Sequence, residues 1–205
     1  GAEQWSKTWG GTGDDIAVAV ALDTAGNIYV AGLTNSISLA VGSNDQTLVK
    51  YNSSGAEQWS KTWGGGADDL AIALALDTAG NIYVAGFTDS SGLTAGDDDQ
   101  TLVKYNSSGA EQWSKTWGGN GSDVAYALAL DTAGNIYVAG YTGSTGLTAG
   151  SSDQTLVKYD SSGAEQWSKT WGGTGTDYAR ALALDTAGNI YVAGWTNSSG
   201  LTAGN

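Results

Sequence analysis

The chain has 205 residues, a net charge of −13 and only 14% charged residues. It contains no Pro, Cys, Met or His, which removes disulfides, thiolate nucleophiles, imidazole bases and the Cys or His ligands of structural zinc. The acidic balance argues against a nucleic-acid backbone or an anionic membrane as partner, and the longest apolar run, Ile16 to Leu22, is far too short to insert across a bilayer.

The string GAEQWSKTWGG begins at Gly1, Gly55, Gly109 and Gly163, a constant spacing. The units are 1–54, 55–108, 109–162 and 163–205, and the fourth ends without counterparts of positions 44–54. Of the 54 offsets, 39 are identical in every copy that has them. Residues 1–205 therefore read as one array of a single supersecondary unit, with no separate domains.

In chain order, the first unit predicts four strands. Glu3–Trp9 alternates, with Trp5, Lys7 and Trp9 on one side, as a half-buried strand does. A glycine-rich connection, Gly10–Asp14, leads to the apolar run Asp15–Leu22. Asp23-Thr24-Ala25-Gly26-Asn27 then reads as a tight turn whose glycine takes a left-handed conformation, as do Gly80, Gly134 and Gly188 in the other copies. Ile28–Leu33 is β-branched and aromatic. A longer Ser/Gly/Thr loop, Thr34–Asn44, precedes the alternating strand Gln46–Tyr51, and Asn52–Gly55 turns into the next Trp strand. About fifteen strands are predicted, with essentially no helix, because no stretch has a 3.6-residue period.

Four antiparallel strands in a unit of this length make a β-propeller blade. A β-solenoid has shorter rungs, roughly 20–30 residues. The segment GDDIAVAVALDTAGNIYVAGLT, followed by DQTLVKYNSSGAEQWSKTWGG, resembles the bacterial seven-bladed β-propeller repeat (SBBP). The resemblance implies an all-β propeller on a bacterial cell surface or outside the cell, without an enzymatic site, so no catalytic residue and no cofactor carry over.

The Ala-rich run suits the innermost strand of a blade, A, and the Lys-bearing Trp strand the outermost, D. The A–B and C–D turns then share one face of the disc, and the D–A and B–C connections share the other. Fifteen offsets vary between copies, and thirteen lie within Thr12–Val18 and Leu33–Asn44, all on the D–A/B–C face. Three change strongly in size. Ile16 becomes Leu70, Val124 and Tyr178; Val18 becomes Ile72, Tyr126 and Arg180; Leu33 becomes Phe87, Tyr141 and Trp195. Aromatic and Arg anchors on a rigid scaffold are what recognition surfaces use. Drift in long loops accounts for the Ser/Gly/Asn/Asp exchanges but poorly for these. The expected function is a non-enzymatic module that holds a protein or glycan on this face. The alternative is a structural or engineered repeat scaffold without a ligand.

Other signals have plainer readings. Trp5 and Trp9 and their equivalents recur in every unit, which fits packing between blades better than a carbohydrate platform. Asp45, Asp99 and Asp153, with the acidic run Asp97–Asp99, admit a calcium site as an alternative, but they read first as turn caps, since no calcium-loop spacing accompanies them, and no metal is expected. Asp15, Asp69, Asp123 and Asp177 suit holding loop N–H groups, or an acidic funnel around the opening. The G-G-x-G strings at Gly10 and Gly172 lack a phosphate-loop Lys. Asn52, Asn106 and Asn197 match a glycosylation sequon that matters only in a eukaryotic secretory host. Because the fourth unit lacks its C strand, the sequence predicts that the chain does not close by itself. Self-association or further blades are expected to complete the ring.

Overall fold

The computed structural model describes residues 1–199; residues 200–205, the last of the fourth unit, lie outside them. Each unit is organised by its D-T-A-G-N turn. In the second unit Gly80 sits at φ 81° and donates its N–H to the Asp77 carbonyl. Asp77 Oδ1 accepts the N–H groups of Ala79 and Asn81, both at 2.9 Å. Its Oδ2 accepts Asn81 Nδ2 at 2.7 Å and the Tyr83 hydroxyl at 3.1 Å. One carboxylate thus fixes the turn and gives a buried tyrosine a hydroxyl partner. The arrangement repeats at Asp23, Asp131 and Asp185.

The turns connect β1 (Asp15–Leu22), β2 (Ile28–Thr34), β3 (Asp45–Tyr51) and β4 (Glu57–Trp63), an antiparallel sheet in chain order. The next sheet is β5 (Asp69–Leu76), β6 (Ile82–Thr88), β7 (Asp99–Tyr105) and β8 (Glu111–Trp117). The third is β9 (Asp123–Leu130), β10 (Ile136–Thr142), β11 (Asp153–Tyr159) and β12 (Glu165–Trp171). β13 (Asp177–Leu184) and β14 (Ile190–Thr196) form an incomplete fourth blade. Among the described residues there is no helix.

Two expectations are corrected. Among the described residues strands number fourteen, because Glu3–Trp9 forms none. Among the described residues it has no adjoining C strand to bond. Its side chains still occupy the expected place: a Cβ on Gly55 would touch the Trp5 ring, as one on Gly109 or Gly163 would touch Trp59 or Trp113. The second correction concerns burial. In the inner sheets the B and C strands, such as β6 and β7, are buried at nearly every position, whereas the A strands β5 and β9 are half-exposed along most of their length.

Sheets stack face to face through small and large side chains. Tyr29, Ala31 and Leu48 of the first meet Ala71, Ile82 and Val103 of the second, and the pattern recurs at the next junction. The Trp strands seal the outer edge: Trp59 packs edge-on to Tyr29 at 6.1 Å and Trp167 to Tyr137 at 6.2 Å. Gln46 Nε2 crosses the junction to Thr101 Oγ1 at 2.8 Å, and Gln100 does the same to Thr155. The two outermost faces are open. Val20 and Leu22 are each 64% exposed, and Tyr191 is 58% exposed where its equivalent Tyr83 is 1%.

Each A–B pair carries one bulge. The β5–β6 register shifts between Ala71 and Ala73, leaving Ile72 without a cross-strand partner. The glycine opposite makes this possible, since a Cβ on Gly86 would collide with the Leu70 carbonyl oxygen. The same bulge leaves Val18, Tyr126 and Arg180 unpaired. A bulge bends its strand and re-aims the extra side chain.

Candidate recognition face

The bulge residue and the pair beside it are the three strongly varying offsets. Cross-strand register places Ile16 opposite Leu33, Leu70 opposite Phe87, Val124 opposite Tyr141 and Tyr178 opposite Trp195. At the junction of the third and fourth sheets these side chains form one cluster. Tyr141 stacks on Tyr178 with ring centroids 4.1 Å apart. Trp195 stands edge-on to Tyr178 at 4.9 Å. Tyr126 lies 5.8 Å from Tyr141 and 6.2 Å from Tyr178. The Arg180 guanidinium covers the Tyr126 ring at 3.8 Å and reaches the Tyr178 ring at 5.3 Å. Five of the twelve expected residues thus meet, and Arg180 and Trp195 keep exposed surface.

Polar groups extend the cluster. The Ser122 hydroxyl donates to Asp98 Oδ2 at 2.9 Å and lies 3.0 Å from the Tyr141 hydroxyl. Burial pushes the Tyr141 phenol up to about 12, although Ser122 opposes it. Burial also raises Tyr126, against the nearby Arg180 charge. Burial raises Asp98 as well, and the charges of Asp89, Asp97 and Asp68 add to it. Both phenols are therefore neutral at pH 7 and offer hydroxyl groups, with one cation and one acidic group alongside.

The remaining expected residues lie elsewhere on the same rim. Ile16 and Val18 are exposed and aliphatic, and Leu70, Ile72, Leu33 and Phe87 are half-buried. Val124 departs from the expectation. It is 5% exposed, being the smallest of the large side chains at its offset, and offers no surface. Ser122 and Asp98 were not singled out as site residues. Their signal was available, since both offsets vary between copies, but Ser/Asp exchange in a loop reads as drift. Among the described residues no three acidic side chains come together as a metal site needs.

The family model described as "Beta-propeller repeat" (SBBP) matches residues 4–37, 112–148 and 166–202. The regulatory protein FlaEY of Caulobacter vibrioides is 26% identical over 238 aligned positions, which cover 91% of this chain and 24% of that protein. The uncharacterized WD repeat-containing protein L264 of Acanthamoeba polyphaga mimivirus is 28% identical over 162 positions, 69% of this chain and 11% of that one. The chain thus spans a quarter or less of these curated relatives. A Bacteroides caccae protein of unknown function, solved by crystallography, aligns with a TM-score of 0.49 and 14% identity, over 86% of this chain and 52% of its own.

Proposed function

Because the chain belongs to the SBBP β-propeller repeat family, we propose that it is a non-enzymatic binding module whose varied rim holds a protein or glycan outside a bacterial cell. One observation carries this reading. In an array where most offsets never change, the residues that change most in size gather into a single aromatic and Arg cluster, Tyr126–Tyr141–Tyr178–Arg180–Trp195. The exposed Trp195 ring beside the Arg180 guanidinium suits the flat face of a sugar or an aromatic side chain. The test is a glycan array and a panel of cell-surface proteins probed with the native chain and with an Arg180→Ala/Trp195→Ala variant. Binding by the native chain that the folded variant loses supports the reading. Identical profiles sink it.

A structural scaffold is the second reading, and a specific feature favours it. Arg180 sits on Tyr126 and Tyr141 stacks on Tyr178, so the cluster also joins two sheets. We propose further that the open sheet faces are covered by another blade of the same kind. Val20, Leu22 and Tyr191 occupy the positions that bury Leu74, Leu76 and Tyr83 at inner junctions. Light scattering of the chain in solution decides this: a mass above 20.8 kDa supports self-association, and a monodisperse monomer refutes it.

A further inference from the structure

The open faces of the first and fourth sheets are the two halves of one junction. On the first sheet a groove of about 380 Å³ lies beneath the N-terminal Trp segment, lined by Trp5, Trp9, Ala17, Ile28, Val30 and Val49. One repeat later the same offsets are Trp59, Trp63, Ala71, Ile82, Val84 and Val103. Those six belong to the packed junction of the first and second sheets, where Tyr29, Ala31 and Leu48 of the first sheet fill the space. The groove is therefore the receiving half of a junction, with its Trp roof already in place.

The filling half lies on the fourth sheet. Ile190 and Val192 pack against the third sheet, so the alternation of β14 turns Tyr191 and Ala193 the other way. These two stand at the offsets of Tyr29 and Ala31. Tyr29 and Ala31 are 1% and 0% exposed, whereas Tyr191 is 58% exposed and Ala193 is exposed as well. Tyr191 is already held in its docked conformation, because its hydroxyl donates to Asp185 Oδ2 at 3.1 Å as Tyr83 does to Asp77. A side chain fixed before contact loses little entropy on docking. Of the three filling positions, only that of Leu48 has no counterpart among the described residues. The contact extends to the varied rim. At the inner junction Tyr141 stacks on Tyr178 of the next sheet at 4.1 Å. Across the open faces the same two offsets are Trp195 and Ile16, 43% and 52% exposed.

We propose that a second copy of this chain docks head-to-tail, its groove receiving Tyr191 and Ala193 and its Ile16 covering Trp195, so that assembly and ligand capture at that ring exclude each other. The exclusion rests on the binding role proposed above; the docking itself does not. A second copy is the occupant the residues select, because the groove walls and the filling side chains repeat an inner contact offset for offset. The two faces differ, so the contact is heterologous and continues into a ring or a filament.

The test uses the whole chain with Ala193→Arg, which blocks the filling face, or Ala17→Arg, which blocks the groove. Both alanines are exposed in this chain, while their equivalents Ala31 and Ala71 are fully buried, so the substitutions spoil the contact and spare the fold. Sedimentation velocity is run from about 1 μM to about 1 mM, the span of weak to moderate association. The native chain should gain mass with concentration. Each variant alone should stay monomeric, and a mixture of the two should form a dimer and nothing larger, since one groove and one filling face remain. The docking is overturned if the native chain stays monomeric throughout, if either variant assembles as the native chain does, or if the mixture stays monomeric. The coupling to the rim is read in the same mixture by NMR, with Ala17→Arg isotope-labelled. The Trp195 indole N–H resonance, identified by its loss in Trp195→Phe, should shift when Ala193→Arg is added. A dimer that leaves it unmoved overturns the exclusion. Monomeric Ala17→Arg on the glycan array and the protein panel tests the binding role separately, which keeps the two failures distinguishable.

Discussion

The A–B turn Asp77–Asn81 and the B–C loop Asp89–Asp98 both join neighbouring strands of one sheet, yet their sequences behave oppositely. D-T-A-G-N is identical in all four copies, whereas most B–C offsets change. The difference lies in where the hydrogen bonds come from. In the turn a single carboxylate accepts four donors and a glycine holds φ 81°, so Asp77, Ala79, Gly80 and Asn81 each have a fixed partner or a fixed dihedral. In the loop, most fixed contacts come from outside the varying residues, from Asp69, Ser90 and Asp99. A loop anchored at constant points is free to change between them.

The largest expected effect tests what does not vary beneath the varied rim. Gly140→Ala pushes a Cβ into the Val124 carbonyl oxygen and abolishes the bulge that aims Tyr126. It should destabilise by about 3 kcal/mol, read from denaturant unfolding. A loss no greater than that of an exposed loop substitution would show that the bulge is dispensable. Next comes the turn itself. Gly134→Val places a β-branched residue at φ 84° and should cost about 1–2 kcal/mol. An unchanged midpoint would remove the contrast between the two rims.

A smaller effect is pH-dependent. Burial pushes the Asp77 carboxyl up, but the hydrogen bonds from Asn81, Tyr83 and Ala79 outweigh it and hold the group below its ordinary 3.8. A carboxyl depressed in the folded state adds stability above its unfolded value and loses it as the pH falls through the folded one. Asp77→Ala should therefore cost about 1 kcal/mol at pH 7 and converge with the native chain in acid, below 3.8. A constant difference down to that range would mean that the charge does not hold the turn.

Much of this was legible because the array repeats. Period, turn glycines and four strands per unit follow from D-T-A-G-N and N-S-S-G, whose short-range chemistry needs no tertiary contact. The Glu3–Trp9 segment was legible in part: its alternation is that of a strand, yet residues 1–205 already offered it no C strand to pair with. The A–B bulge was hidden as well: Gly86 reads as an ordinary strand glycine until the Leu70 carbonyl is seen against it. The varied rim was visible as a list of offsets. That Tyr141 meets Tyr178 across a junction depends on how the sheets stack, and no local pattern encodes it.

The smallest expected effect on stability is the most informative about function. The five-residue cluster can be rebuilt two junctions earlier, between the first and second sheets, with Val18→Tyr, Leu33→Tyr, Leu70→Tyr, Ile72→Arg and Phe87→Trp. Every offset already accepts the new residue on the same backbone, because Leu70 pairs with Phe87 in the register that pairs Tyr178 with Trp195. The substituted positions are exposed or half-buried, and none is in the inter-sheet core. The variant should therefore unfold within about 1 kcal/mol of the native chain. If the cluster recognises a ligand, the same variant gains a second site, and calorimetry with the protein or glycan captured by the native chain should show two equivalents bound instead of one. If the cluster only joins sheets, the unfolding midpoint rises and no second equivalent appears. A loss as large as that of Gly134→Val would break the comparison instead, because the varied rim would then be as constrained as the turns.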